Sequence, residues 1–133
     1  MPIELTYLLA SVCLYLAMIF MQAAAAMSSR KASVGELVGA RDSFPSEGLN
    51  TLHGRTKRAQ ANMTESMVMF VPLVLMLVQL DMTSAQTALG AALFFWGRVA
   101  FAPCYYFGVP WLRTLAWAVS ILGILLLIAE FVV

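Results

Sequence analysis

Four apolar runs, each long enough to cross a bilayer, leave this chain few ways to fold. Residues 5–27 contain no Asp, Glu, Lys or Arg at all. About 20 helical residues span roughly 30 Å of hydrocarbon, and tilt accommodates longer segments. The spacing of polar residues predicts helices over about 4–28, 57–80, 83–107 and 110–132, with one long loop over about 29–56. Composition agrees, since only 11% of residues are charged and 62% are hydrophobic, whereas soluble domains carry about a quarter charged residues. The expected fold is a single all-α domain over 1–133, an integral membrane four-helix bundle. Glu4 stands where a signal peptide would be basic, and Arg30 and Lys31 follow the small residues 23–26. The first run is therefore expected to be a permanent helix rather than a cleaved leader.

The connection around Asp81 is very short, and Gly108, Val109 and Pro110 form a second tight turn, so helices two, three and four should run antiparallel. Arg30, Lys31, Arg41, Arg55, Lys57 and Arg58 flank the long loop, and Arg98 and Arg113 lie toward the third turn. With an even number of spans these eight basic residues fall on one side. The positive-inside rule makes that side cytoplasmic and puts both termini opposite, where Glu4, Asp81 and Glu130 mark the other face. Trp111 and Tyr106 suit an interfacial aromatic belt, while Trp96 and Trp117 are expected to pack between helices. Pro72 and Pro103 each remove an amide donor within a helix, and Pro103 would loosen the backbone near Val99.

A formal net charge of +1 gives no basic face for nucleic acid. Cys13 and Cys104 have neither the number nor the spacing of a disulfide framework or a metal site, and read as small apolar filler. His53, the one histidine, is expected to be a solvated loop residue. The glycosylation pattern at Asn62 falls on a cytoplasmic helix face and is discounted.

The chemistry concentrates in two stretches. In residues 54–66, Arg55, Arg58, Asn62 and Glu65 recur at steps of three, four and three, which puts them on one helical face. A carboxylate costs several kcal/mol in lipid, so Glu65 is expected to point into the bundle toward a cation or a ligand. In residues 97–114, Arg98 and Tyr105 share a face of helix three, and Glu65 is the expected partner of Arg98, either as a structural lock or as part of a site. Arg113 sits in the first turn of helix four, at the positive end of its dipole, where a guanidinium can stabilise a thiolate or an oxyanion. Snorkelling of Arg113 to lipid phosphate is the plainer alternative. Several cations, one carboxylate, an amide and phenols together complement a small anionic ligand bearing one amine. Glutathione, with two carboxylates, an ammonium and a thiol, has that form.

The two stretches resemble the MAPEG family, the membrane-associated proteins of eicosanoid and glutathione metabolism, and within it the bacterial-type members similar to microsomal glutathione transferases. The resemblance rests on Arg58, Ala59, Asn62 and Glu65, preceded by Arg55, and on Arg98, Tyr105 and the Arg113–Thr114 pair, together with the four-helix plan. It implies that Arg55, Arg58, Asn62, Glu65, Arg98 and Tyr105 bind glutathione, with Glu65 receiving its amino group, and that Arg113, helped by Thr114, stabilises the thiolate. It also implies a homotrimer with sites between subunits, membrane lipid as surroundings, and a lipophilic small molecule as second substrate.

Ala61 stands where several relatives carry a further arginine, and Phe101 where prostaglandin-synthase-like members carry histidine, which argues against prostaglandin synthesis. The activity expected is transfer of glutathione to a lipophilic electrophile, with glutathione-dependent peroxide reduction as a close variant. The rival is a non-catalytic lipid-binding or scaffold protein of the same fold. A small multidrug exporter would need a membrane-embedded carboxylate, usually in helix one, and residues 5–27 have none.

Overall fold

A computed structural model of the protein describes residues 1–28 and 51–133. It has four helices, α1 (Ile3–Ser28), α2 (Leu52–Gln79), α3 (Ala85–Tyr106) and α4 (Pro110–Val132). All four are long and apolar enough to cross a membrane, and no strand occurs among the described residues. The fold is thus the all-α four-helix membrane type. Arg30, Lys31 and Arg41 lie outside the described residues.

The second helix begins five residues before the expected position 57, at Leu52. Thr51 is the cause: its extended backbone and its hydroxyl, which accepts from the Gly54 amide at 3.1 Å, make it an N-cap. The extra turn carries His53 inward, so the histidine is 1% exposed rather than solvated, with its Nε2 3.4 Å from the Gln22 amide nitrogen on α1. His53 precedes Thr56 by three residues and Met63 by ten, and so shares their buried face.

The closest pairing in the bundle is α3 with α4, while α1 lies along α2 and α3. Small residues explain this pairing. A Cβ added at Gly123 would stand 2.5 Å from the Gly90 carbonyl oxygen and 2.7 Å from the Phe94 nitrogen. One added at Gly97 would stand 2.8 Å from the Ser120 nitrogen. Lipid competes with apolar side chains on equal terms, so close backbone approach and dispersion hold such helices together. Across the bundle, Phe70 and Phe94 stack with ring centroids 3.9 Å apart.

The end that holds both termini is joined by hydroxyls and carboxylates. Ser84 and Thr87 form a capping box at the start of α3. Thr87 also donates to the buried Glu4 of α1 at 2.5 Å, and Ser84 donates to Glu130 of α4 at 2.9 Å. Both carboxylates thus meet the positive end of the α3 dipole.

The aromatic residues depart from expectation. Trp96 and Trp117 are 59% and 41% exposed instead of being enclosed between helices. Trp111 is exposed as an interfacial residue would be, but the Tyr106 hydroxyl is buried.

Candidate functional site

At the end opposite the termini, α2 begins, α3 ends and α4 begins, which brings the described basic residues together. Arg98 is the most deeply placed, at 1% exposure. Its Nη1 donates to Asn62 Oδ1 of α2 at 2.5 Å, and its Cζ lies 5.0 Å and 5.7 Å from the ring centroids of Phe101 and Phe94. The Nε is buried and has no hydrogen-bond partner among the described residues.

The expected pairing of Glu65 with Arg98 does not occur. Glu65 is exposed on the outer side of α2, and Asn62 takes its place as the partner of Arg98. The helix explains the difference: at about 100° per residue, three residues turn Glu65 about 60° away from Asn62 and bring it back beside Arg58. Arg58 is likewise exposed.

Tyr105 connects two of the remaining residues. Its hydroxyl accepts from Arg58 Nε at 3.2 Å, and the Arg113 guanidinium carbon lies 4.9 Å from its ring centroid, within cation–π range. Arg113 is half-buried. Val109 provides no side-chain cap for α4, and Pro110 has no N–H, which leaves the Trp111 and Leu112 amides directed out of the helix end beside that cation. Thr114 donates its hydroxyl hydrogen to the Pro110 carbonyl at 3.0 Å. Arg55 lies at the edge of the group and donates Nη1 to the Tyr106 carbonyl at 3.4 Å.

Asn62, Phe101, Tyr105, Arg113, Thr114 and Trp117 line a cavity of about 330 Å3 between α2, α3 and α4. Its lining offers a cation, an amide and hydroxyls together with aromatic surface. Sequence reasoning did not include Trp117 in the site. Its signal was present, because it follows Arg113 by one helical turn and so shares that residue's face.

No curated protein and no solved structure matches this chain. The model of the MAPEG family matches residues 7–133, so the chain belongs to that family.

Proposed function

We propose that the protein is a membrane-bound glutathione transferase. The observation that carries this reading is the cavity beside Arg113, where a cation at the positive end of α4 and the aromatic rings of Phe101 and Trp117 line the same space. A thiolate needs the first and a lipophilic electrophile needs the second. Family membership supports it, since MAPEG proteins generally use glutathione.

The buried Arg98 and the outward Arg58 suit the two glutathione carboxylates, Asn62 and Tyr105 its peptide, and the exposed Glu65 its ammonium. Near Arg113 and the open amides of α4, the thiol loses its proton to water more readily. The thiolate then attacks the electrophilic carbon, so that a C–S bond forms and the leaving group departs with the bonding electrons. With a lipid hydroperoxide, the same thiolate takes one peroxide oxygen and releases the alcohol. A second glutathione then yields the disulfide and water. Thr114 is the weaker of the two catalytic candidates, because its hydroxyl hydrogen goes to the Pro110 carbonyl.

Glu65 lies on an exposed face of α2 that continues through Val68, Met69 and Pro72. That face suits a neighbouring copy, in keeping with a homotrimer whose sites lie between subunits. The basic end is read as cytoplasmic by the positive-inside rule.

Stopped-flow absorbance of the thiolate on mixing with glutathione tests the reading. Wild type should give a thiolate signal, and Arg113→Ala should lower it by about tenfold or more, the scale expected for removing a preorganised charge. Absence of glutathione binding by wild type in lipid would refute the reading. Saturable binding of a lipophilic ligand with no conjugate by mass spectrometry would favour the scaffold alternative.

A further inference from the structure

The turn between α3 and α4 is completed by a residue of another helix. At the end of α3, the Phe107, Val109 and Gly108 amides bond the carbonyls of Pro103, Cys104 and Tyr105 at 2.9, 2.9 and 3.2 Å. This is the pattern of a helix stop with a left-handed residue just past the cap, and Gly108 supplies that residue at φ 68°. The Tyr106 carbonyl remains, and Arg55 of α2 donates to it. The Arg55 guanidinium lies so close to Gly108 that a Cβ there would stand 3.1 Å from Cζ and Nη2. A cation at this point also opposes the negative end of the α3 dipole.

Tyr105 and Arg113 flank this turn on its two sides. Their contact at 4.9 Å is made across it, and the Arg113 amide bonds Val109 within it at 3.1 Å. The path by which α4 leaves the turn therefore sets where the Arg113 guanidinium stands over Tyr105. We propose that Arg55 is a positioning residue: it fastens α2 to the α3–α4 turn and thereby places Arg113, and it does not itself hold glutathione. The catalytic consequence rests on the transferase reading, whereas the clamp does not. Arg58 differs because its guanidinium reaches the Tyr105 hydroxyl directly.

Two readouts on the full chain in lipid separate these roles, using wild type, Arg55→Ala, Arg55→Lys and Gly108→Ala. The first is amide exchange of residues 104–113 without glutathione, which reports local opening. Arg55→Ala and Gly108→Ala should each speed it by about tenfold, with Arg55→Lys intermediate because it keeps one donor. The second readout compares the Kd of S-methylglutathione, which has no thiol proton, with kcat and the thiol pKa of bound glutathione. Arg55→Ala should leave that Kd within about twofold, raise the thiol pKa, and lower kcat about tenfold, the split expected when only transition-state stabilisation is lost. A tenfold weaker Kd with kcat and turn exchange unchanged would make Arg55 a ligand and overturn the proposal. Unchanged exchange in Arg55→Ala overturns the clamp whatever the activity. If wild type binds no glutathione, the transferase reading fails while amide exchange still decides the clamp.

Discussion

Replacing Asn62 with leucine should destabilise the bundle by about 3 kcal/mol, because among the described residues it removes the side-chain acceptor of a buried cation. Arg98 is 1% exposed, its Nη1 has Asn62 Oδ1 as partner, and its Nε has none among the described residues. A hydrogen bond to a charged group contributes about 1.5–3 kcal/mol, and stripping a buried charge of its partner costs roughly 3–5 kcal/mol. The Phe94 and Phe101 rings still face the guanidinium in the variant, so the charge is not wholly stripped and the loss falls at about 3 kcal/mol, the lower end of that range. Arg98→Met should cost less, since it removes the charge and leaves only a half-buried amide. The double variant should recover much of the loss, giving a coupling of about 2 kcal/mol. Unfolding in mixed micelles, followed for wild type, both single variants and the double, measures the cycle. A loss below about 0.5 kcal/mol for Asn62→Leu, or effects that simply add, would show that Arg98 does not depend on Asn62.

Glu65→Gln should change stability by less than about 0.5 kcal/mol, as an exposed substitution does, yet weaken glutathione binding roughly tenfold by calorimetry. A large stability loss without ligand would return Glu65 to a structural role. Gly123→Ala should cost about 1–3 kcal/mol in the same unfolding assay, despite a helix-propensity gain of about 1 kcal/mol, because the new Cβ meets the backbone of α3. Equal or greater stability would mean that the two helices separate at little cost. Thr87→Val keeps the shape of a residue that donates to Glu4 and caps α3, so it should lose about 2 kcal/mol. Wild-type stability in that variant would show that Glu4 finds another donor.

The number of helices, their approximate bounds and the glycine turn at 108 were legible because bilayer thickness and turn chemistry impose them directly. So was the gathering of Arg58, Asn62, Arg98, Tyr105 and Arg113 at one end, since polar residues are scarce in apolar helices. The direction of Glu65 was less legible. Steps of three and four leave residues within a broad stripe, and a turn of about 60° separates a group facing the bundle from one facing outward. His53 was misread because its burial depends on where α2 starts, and Thr51 decides that through one hydroxyl. Trp96 and Trp117 were misread for another reason. In α3 and α4 both faces are apolar, so hydropathy does not say which one packs, and the signal lay in Gly90, Gly97, Ser120 and Gly123.

Those glycines have a further consequence. Where backbone rests on backbone no side-chain rotamer is available to absorb a shift, so α3 and α4 form one stiff plate that carries Phe101, Tyr105, Arg113 and Trp117 together. Arg58, Asn62 and Glu65 belong to α2, which touches that plate more sparsely. Under the transferase reading, the groups that activate the sulfur share the plate with Arg98 and Tyr105, while Arg58, Asn62 and Glu65 grip the tripeptide from a separate body. Substitutions at Glu65 can then retune how tightly the thiol carrier is held, whereas Arg55, which bonds the α3–α4 turn from α2, acts on the reacting geometry instead.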